Sequence, residues 1–380
     1  SLTFTCFIMT SLPHKHVFFD NLDGLRFLSF FYVFIAHSFP TDDPAIYNSL
    51  WYRIIKGKMF LDGEPGVSFF FVLSGFLITY LLLKEKEFTQ KINLKAFYIR
   101  RILRIWPLYY FSVFFGFAIF PYLKEFFGGV SNENANVLLS SVFLNNFDRM
   151  INGLPDSSVL SVLWSVAIEE QFYLIWPLLF LLVPQKYYSF IFIFIIEISL
   201  LYRISNIGGH IDINSLGVIS DMAIGGLGAW LISRKNNFHR FIENCHPMIN
   251  LIPYFSVLLY ILFKDQLLSS PLLIVHRRLI LGFLFIWIIL EQNYSLRSYF
   301  KIGHFKIVSR LGKYTYGLYC LHTIALLITI TTLKHFNLHT ESWHFWFLEF
   351  PIALTISVYL SYISYHKFES YFLKLKVKFS

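Results

Sequence analysis

The sequence predicts an all-α integral membrane protein in which about ten helices cross the bilayer. Of its 380 residues, 56% are hydrophobic and only 14% are charged. The mean hydropathy is +0.56. Water-soluble domains usually carry about 25% charged residues, so this chain has too few charges to cover a surface that faces water. The third observation is that its apolar residues fall into ten separate segments.

Each apolar segment is long enough for one membrane crossing, because the hydrocarbon core requires about 20 apolar residues at about 1.5 Å per residue. In chain order, the predicted spans are 22–40, 66–84, 104–123, 161–183, 187–204, 214–233, 248–264, 272–291, 314–333 and 343–366. The eighth is the least regular, because Arg277 and Arg278 lie near its start.

The distribution of Lys and Arg predicts that both termini face the cytoplasm. In that orientation 21 of the 32 Lys and Arg residues lie on the cytoplasmic side, 10 lie on the opposite side and Arg26 lies within the first span. Positive residues favour cytoplasmic loops. The chain is predicted to be a single membrane domain at 20–366, between an N-terminal cytoplasmic segment at 1–19 and a basic cytoplasmic tail at 367–380. The longest predicted outer loops are 41–65 and 121–160.

The charge and the cysteines exclude several classes of function. The net charge is +9, but the basic residues lie between apolar segments, as in loops beside anionic lipid, and not on a soluble nucleic-acid-binding face. The three cysteines form no CxxC pair, and neither HExxH nor GxSxG occurs. We therefore predict a lipid bilayer as partner, with no nucleic acid and no metal site.

Two ionisable residues in the first span are candidates for function, because such groups are costly inside a membrane. Arg26 and His37 are eleven residues apart, which is within about 20° of three whole helical turns and about 16.5 Å along the axis. They are therefore predicted to share a helix face. The alternative interpretation is that both are helix-end residues whose polar groups reach the interface.

Three arginines enter the third span from the cytoplasmic side. Arg101 and Arg104 are three residues apart and share a face, so their guanidiniums could bind phosphate groups, with Arg100 beside them. By spacing alone, an ordinary positive-inside anchor is the favoured interpretation.

Further polar residues occur within the predicted spans. Glu169 and Glu170 are adjacent and point to different faces, which suggests a polar pocket. Asp221 is a similar candidate, and the glycines after it allow close helix packing. His322 is a candidate that could equally be a packing residue, and Ser74 indicates by itself only a tight helix contact.

Six segments occur in a family-specific order between about residues 20 and 325. They are NLDGLRF with a histidine eleven residues after its arginine, GVSFFFVLSGFLI, RRILRIWPLY, LWSVAIEEQFYLIWP, the segment from Asp221 to Gly226, and LGKYTYGLYCLH. Together they resemble the acyltransferase 3 family of multi-pass membrane acyltransferases.

The resemblance implies a fold of about ten helices and the transfer of an acyl group, usually acetyl, from cytoplasmic acyl-CoA to an extracytoplasmic hydroxyl. Typical acceptors are sugars of lipopolysaccharide O-antigen, peptidoglycan, exported oligosaccharides or antibiotics. Acetyl-CoA would be a co-substrate, with no permanently bound cofactor. The implied location is the bacterial inner membrane.

The resemblance also assigns roles to residues. It implies a catalytic site with His37, Glu169 and Arg26, and a site for the CoA phosphates with Arg101, Arg104 and Arg100. Trp164 and Ser165 match the family's pattern and are predicted to bind the substrate, together with residues singled out by their position within the spans: Glu170, Asp221, Ser74 and His322. The sequence departs from the family at Ser68, where an aspartate is common, and after Glu369, where the family's closing proline is missing.

In the predicted mechanism, His37 is the general base for the acceptor hydroxyl, and Glu169 orients the imidazole or holds the sugar. Alternatively, His37 accepts the acyl group first, as a nucleophile. Two other functions compete with catalysis: a transporter or flippase of a lipid-linked saccharide, and a non-catalytic scaffold. The sequence indicates neither the acceptor nor the oligomeric state.

Overall fold

The computed structural model describes residues 19–267 and 269–376, and within these ranges it is helical without strands. Ten long helices form the body of the molecule. They are α1 (Asp20–His37), α2 (Glu64–Thr89), α3 (Leu94–Phe114), α4 (Leu163–Leu182), α5 (Tyr188–Ser205), α6 (Ser215–Ser233), α7 (Pro247–Leu267), α8 (Pro271–Tyr294), α9 (Thr315–His335) and α10 (Phe350–Ile363).

Each of the ten predicted spans coincides with one of these helices. Within the described ranges, nine helical runs are long and apolar enough to cross a membrane. The predicted span outside these nine is the first, 22–40, which corresponds to α1; this segment is helical but carries three charged residues among its 18. The all-α membrane class is thus confirmed, whereas the count of ten and the N-in, C-in orientation stay predictions.

Several helices extend beyond the predicted spans. The third predicted span, 104–123, lies in a helical run that starts at Leu94 and continues through a π-helical turn (Phe115–Ile119) to Phe126. Asn93 caps its start, since the Asn93 side chain accepts a hydrogen bond from the backbone NH of Ala96. The run therefore carries its arginines on regular helix.

Helices α2 and α6 approach each other most closely, and glycines make this contact. A Cβ on Gly75 would lie 2.0 Å from the carbonyl oxygen of Met222, and a Cβ on Gly225 would lie 2.0 Å from that of Val72. Side chains at either position would push the two backbones apart. The close packing predicted for the glycines after Asp221 is confirmed.

Backbone contact also fixes the position of α1. A Cβ on Gly312, at the end of the short helix Lys306–Gly312, would lie 1.9 Å from the carbonyl oxygen of Asp23. Farther along, α1 packs against α9 through Phe30 and Phe34, whose rings lie 5.6 Å and 6.3 Å from that of His322. Packing at both ends therefore sets the direction in which α1 presents its polar residues.

The predicted outer loops and tail contain short helices. The loop at 121–160 includes the helices Val137–Ser141, Asn145–Asn152 and Ser158–Ser161. The predicted tail continues from α10 as a π-helical turn and the helix Ser370–Lys376, which packs on α3. Residues 1–18 of the predicted N-terminal segment, and the last four residues, lie outside the described part of the chain.

Candidate active site

The last residue of α1 is paired with a histidine from α9. Nδ1 of His37 lies 2.9 Å from Nε2 of His322, and the planes of the two rings are 17° from parallel, with their centroids 5.2 Å apart. His322 is completely buried, whereas His37 is exposed. Only one histidine of the pair is therefore accessible to a substrate.

The hydrogen bonds decide which nitrogen of each neutral ring carries a proton. Nδ1 of His322 lies 2.8 Å from the backbone carbonyl oxygen of Tyr319 and 3.2 Å from that of Leu318. A carbonyl only accepts, so this nitrogen carries the proton and Nε2 of His322 is an acceptor. His37 must then donate from Nδ1, which leaves its Nε2 with a lone pair that can accept a proton.

Polar groups from α4 and α9 lie beside this pair. The hydroxyl of Tyr319 is 2.6 Å from the Ser165 hydroxyl, and it donates to the carbonyl oxygen of Val162 at 3.2 Å. The guanidinium of Arg149, from the helix Asn145–Asn152, lies over the ring of Trp164 at 5.8 Å. Its charge is close enough to act on His37. We call His37, His322, Tyr319, Ser165 and Trp164 the histidine site.

Near the other end of α1 the structure gathers three of the predicted arginines. Arg26, which is bonded to Asp23 at 2.6 Å, lies close enough to Arg104 for the two charges to repel each other. Arg101 and Arg104 interact in the same way. We call Arg26, Arg101 and Arg104 the arginine cluster.

Two of these arginines have donor groups available for a ligand. Nε of Arg101 is buried without a hydrogen-bond partner among the described residues, although the guanidinium lies over the Tyr173 ring at 5.4 Å. Arg104 is exposed. Because clustered cations repel one another, the arrangement favours an anionic ligand.

Glu169 lies next to the arginine cluster. It accepts hydrogen bonds from the Ser74 hydroxyl at 2.5 Å and from the Tyr173 hydroxyl at 3.3 Å, and it interacts electrostatically with Arg101 and Arg104. The contact that orients the His37 imidazole is made by His322 rather than by Glu169.

One face of α4 joins the two groups of residues. Ser165, Glu169 and Tyr173 are spaced four residues apart, so they follow one face over about 12 Å. The first belongs to the histidine site, and the other two contact the arginine cluster and its surroundings. A polar strip thus runs along α4 between the two groups.

Two predicted site residues have other partners. Arg100 forms an ion pair with Glu85 of α2 at 3.3 Å. Glu170 points to a different face from Glu169, as predicted, and accepts a hydrogen bond from the Trp106 indole at 2.9 Å. Arg100 is thus paired with a carboxylate while its charge also acts on Arg101, and Glu170 is tied to α3.

Asp221 belongs to a buried ion network and not to the histidine site. Arg278 donates to Asp221 at 2.7 Å, and Ser68 donates to the same oxygen at 2.8 Å. Arg278 and Arg277 also pair with Glu64 and Asp212. The predicted substrate-binding role of Asp221 therefore lacks support from its position, because its charge is satisfied between α2, α6 and α8.

Sequence reasoning missed two residues of this region. Tyr319 precedes His322 by three residues and lies on the same face, a spacing that could have identified it. Arg149 lies in a predicted outer loop, where a single arginine gives no signal of its position beside Trp164.

Comparison with known proteins gives a relationship over most of the chain. The family model described as an acyltransferase domain, acyltransferase 3, matches residues 19–366. The peptidoglycan O-acetyltransferase OatA of Listeria monocytogenes is 30% identical over 357 residues, which cover 85% of this chain and 51% of that protein. A Staphylococcus aureus (strain COL) protein, named provisionally as an O-acetyltransferase, is 32% identical over 51% of this chain and 31% of its own length.

The chain thus spans about half the length of the first of these relatives and about a third of the second. No solved structure gives a significant match. The family match covers α1 to α10, including both groups of residues described above. The chain belongs to the acyltransferase 3 family.

Proposed function

We propose that this protein is an O-acetyltransferase of the bacterial inner membrane, which moves an acetyl group from cytoplasmic acetyl-CoA to a hydroxyl of an extracytoplasmic sugar. The observation that carries the proposal is the His37–His322 pair, which leaves Nε2 of an exposed imidazole ready to accept a proton. The relatives named as O-acetyltransferases support the same reaction. The acceptor would be a cell-surface glycan such as lipopolysaccharide O-antigen or peptidoglycan.

In this proposal the arginine cluster binds the phosphates of CoA at the cytoplasmic face. Arg101 and Arg104 offer donors that suit phosphate oxygens. Arg26, predicted as a catalytic residue, would instead act in this donor site, because it lies beside Arg104 and about 16.5 Å along α1 from His37. The ten-span, N-in, C-in orientation belongs to the proposal and puts His37 on the outer side.

The distance between the two groups explains why a long acyl carrier suits the site. The thioester arm of CoA would extend along the polar strip of α4, past Glu169, until its acyl group reaches the histidine site. Acyl group and acceptor would then meet without movement of the nucleotide across the membrane. Ser74 and Tyr173 would hold the Glu169 carboxylate in place beside the arm.

His37 acts as the general base. Its Nε2 takes the proton of the acceptor hydroxyl while the hydroxyl oxygen forms a bond to the thioester carbonyl carbon. The carbon–sulfur bond then breaks, and the CoA thiolate leaves and takes the proton from His37. His322 accepts the hydrogen bond from His37 Nδ1 throughout, so the ring keeps its orientation and its tautomer.

The test is the acyl content of cell-surface glycans, measured by mass spectrometry in the native host. Cells with the intact chain, without it, with His37→Ala and with His335→Ala are compared at equal amounts of membrane protein. His335 is an exposed histidine at the end of α9 and serves as the matched control. An acetyl group that is present only with the intact chain and His335→Ala supports the proposal. Identical glycans in all four strains contradict it and favour a transporter of lipid-linked saccharides.

A further inference from the structure

A cavity of about 300 Å³ lies near the histidine site, between the helix Asn145–Asn152 and the segment before α6. This volume is at the lower end of the range for small-molecule sites. The residues that line it are Arg149, Gly153, Leu154, Gly209, His210, Asp212 and Ile213. The mixture of a cation, an imidazole, a carboxylate and two glycines suits a small polar group.

Both walls of this cavity are fixed by buried hydrogen bonds. Asn146 is completely buried and donates to the carbonyl oxygen of Ile213 at 3.2 Å and to the Ser215 hydroxyl at 3.0 Å. Gln171 of α4 donates to Asn146 at 2.9 Å and accepts from Ser215 at 2.5 Å. The short helix, α4 and the start of α6 are thus joined beneath the cavity, so it is a built feature and not a gap between loose loops.

The charges at the cavity do not balance. Asp212 is neutralised, since it pairs with Arg277 and with Arg278 at 3.4 Å. Burial alone would raise the pKa of Asp212, but the two arginines lower it, so the carboxylate stays ionised and occupied. Arg149, in contrast, has no ion-pair partner within residues 19–267 and 269–376. Partial burial lowers the pKa of its guanidinium, which means that desolvation disfavours this unpaired charge.

The cavity is connected to the histidine site through Arg149. The guanidinium lies over the Trp164 ring at 5.8 Å, and the next residue, Ser165, is 2.6 Å from the Tyr319 hydroxyl. The charge of Arg149 also acts on His37. Arg149 therefore links the cavity to the imidazole that accepts the proton in the proposed reaction.

We propose that this cavity binds an acidic sugar of the acceptor, with its carboxylate on Arg149, next to the sugar whose hydroxyl receives the acyl group. The inference rests on the proposed function and narrows its acceptor to carboxylate-bearing glycans. A guanidinium and a carboxylate form paired hydrogen bonds of fixed geometry, so the contact would also set which hydroxyl reaches His37.

Equilibrium binding to the full chain in lipid nanodiscs tests this directly and does not depend on turnover. The probes are two acidic oligosaccharides, each compared with its carboxyl-reduced form. One is a tetrasaccharide of glucuronic acid and N-acetylglucosamine, and the other is a disaccharide of N-acetylglucosamine and N-acetylmuramic acid. Arg149→Gln removes the charge, Arg149→Lys keeps it, and Arg53→Gln is the control at an exposed arginine of the other predicted outer loop.

We expect at least one acidic probe to bind about tenfold or more tightly than its reduced form, the usual gain from a hydrogen bond to a charged group. Arg149→Gln should abolish this preference, while Arg149→Lys retains part of it and Arg53→Gln all of it. Equal binding of both forms in both pairs, or a preference that survives Arg149→Gln, overturns the inference. If the protein prefers the acidic probes but cells show no acetyl transfer, only the proposed function is refuted. If acetyl transfer occurs but the acidic probes are not preferred, only the proposed role of the cavity is refuted. Matching melting temperatures of the variants exclude misfolding as the cause.

Discussion

Replacement of His322 tests whether the imidazole of His37 needs a fixed acceptor for its Nδ1 proton. His322→Gln can place an amide oxygen near the position of Nε2, whereas His322→Asn is too short to reach His37 from the same backbone position. Both are polar residues of similar size, so they differ mainly in the hydrogen bond that the structure shows at 2.9 Å. His322 does not touch the acceptor in the proposed mechanism and is a positioning residue.

The expected size of the effect follows from that bond. Removal of the partner of a buried donor costs about 1–3 kcal/mol, and each 1.36 kcal/mol in a barrier changes a rate about tenfold. We therefore expect His322→Asn to lower kcat by about 5- to 160-fold, and His322→Gln to recover most of the loss. The KM for acetyl-CoA should stay unchanged in both variants, because the arginine cluster lies about 16.5 Å along α1 from His37.

The assay is the release of CoA thiol by purified protein in proteoliposomes, with the acceptor identified from the surface-glycan experiment. A kcat for His322→Asn equal to that of the intact protein would refute the reasoning, because the imidazole would then need no acceptor. A loss of equal size in His322→Asn and His322→Gln, with unchanged melting temperatures, would show that ring packing rather than the hydrogen bond is what matters.

Three further predictions concern the donor site and the helix packing. Arg101→Gln should raise the KM for acetyl-CoA about tenfold or more, because a charge-assisted hydrogen bond is lost. Arg100→Gln, which breaks the ion pair with Glu85, should raise the KM less. Equal KM values for the two variants in steady-state kinetics would contradict this prediction. Gly75→Ala should destabilise the protein by about 1–3 kcal/mol or more, because the new Cβ would lie 2.0 Å from a backbone oxygen. Gly57→Ala is the control: the nearest atom to its new Cβ is 3.8 Å away, so the melting temperature should stay unchanged. Asp221→Asn should lower the stability by about 3–5 kcal/mol, because it breaks a buried ion pair. A lower affinity for the acceptor at an unchanged melting temperature would instead support the predicted substrate-binding role of Asp221.

The helices could be predicted from the sequence because hydropathy is a local property. A stretch of apolar residues has to satisfy its backbone hydrogen bonds internally in lipid, so each segment is helical wherever it lies in the bundle. The same locality made the shared face of Arg26 and His37 predictable, since both lie on one uninterrupted helix. The ends of helices were less predictable, because the turns that extend them, such as those that begin at Leu94, mix basic residues with apolar ones.

The partners of the site residues could not be predicted in this way. His37 and His322 are separated by 285 positions in the chain, and Ser74 and Glu169 by 95, so no spacing rule connects them. Their contacts follow from which helices are neighbours, and this depends on packing features such as Gly75 against Met222. Glu169 was predicted either to orient His37 or to hold the sugar; the structure pairs it with Ser74 and Tyr173, and its role in catalysis stays a prediction.

The ion network around Asp221 shows where charge could have supplied the missing information. A carboxylate in the sixth predicted span and two arginines near the start of the eighth are each costly in a membrane. Two residues of opposite charge in different spans can offset this cost when they form a pair. They can pair if both lie near span ends that face the same side of the membrane. Asp221 and Arg278 meet this condition, and the sequence therefore contained evidence that they are partners.

This network also gives a physical reason for the division of the molecule into scaffold and reaction site. Helices α2, α6 and α8 are joined by backbone contact at glycines and by buried ion pairs, so their relative positions are firmly set. The groups of the proposed reaction lie on α1, α4 and α9, and α2 reaches α4 through the hydrogen bond from Ser74 to Glu169. Because Ser68 of the same helix donates to Asp221, α2 connects the rigid ion network to the polar strip of α4. A carboxylate held in this way stays near Arg101 and Arg104 without an ion pair to either. Their donors thus stay available for an anionic ligand, which we propose to be the phosphates of the acyl carrier.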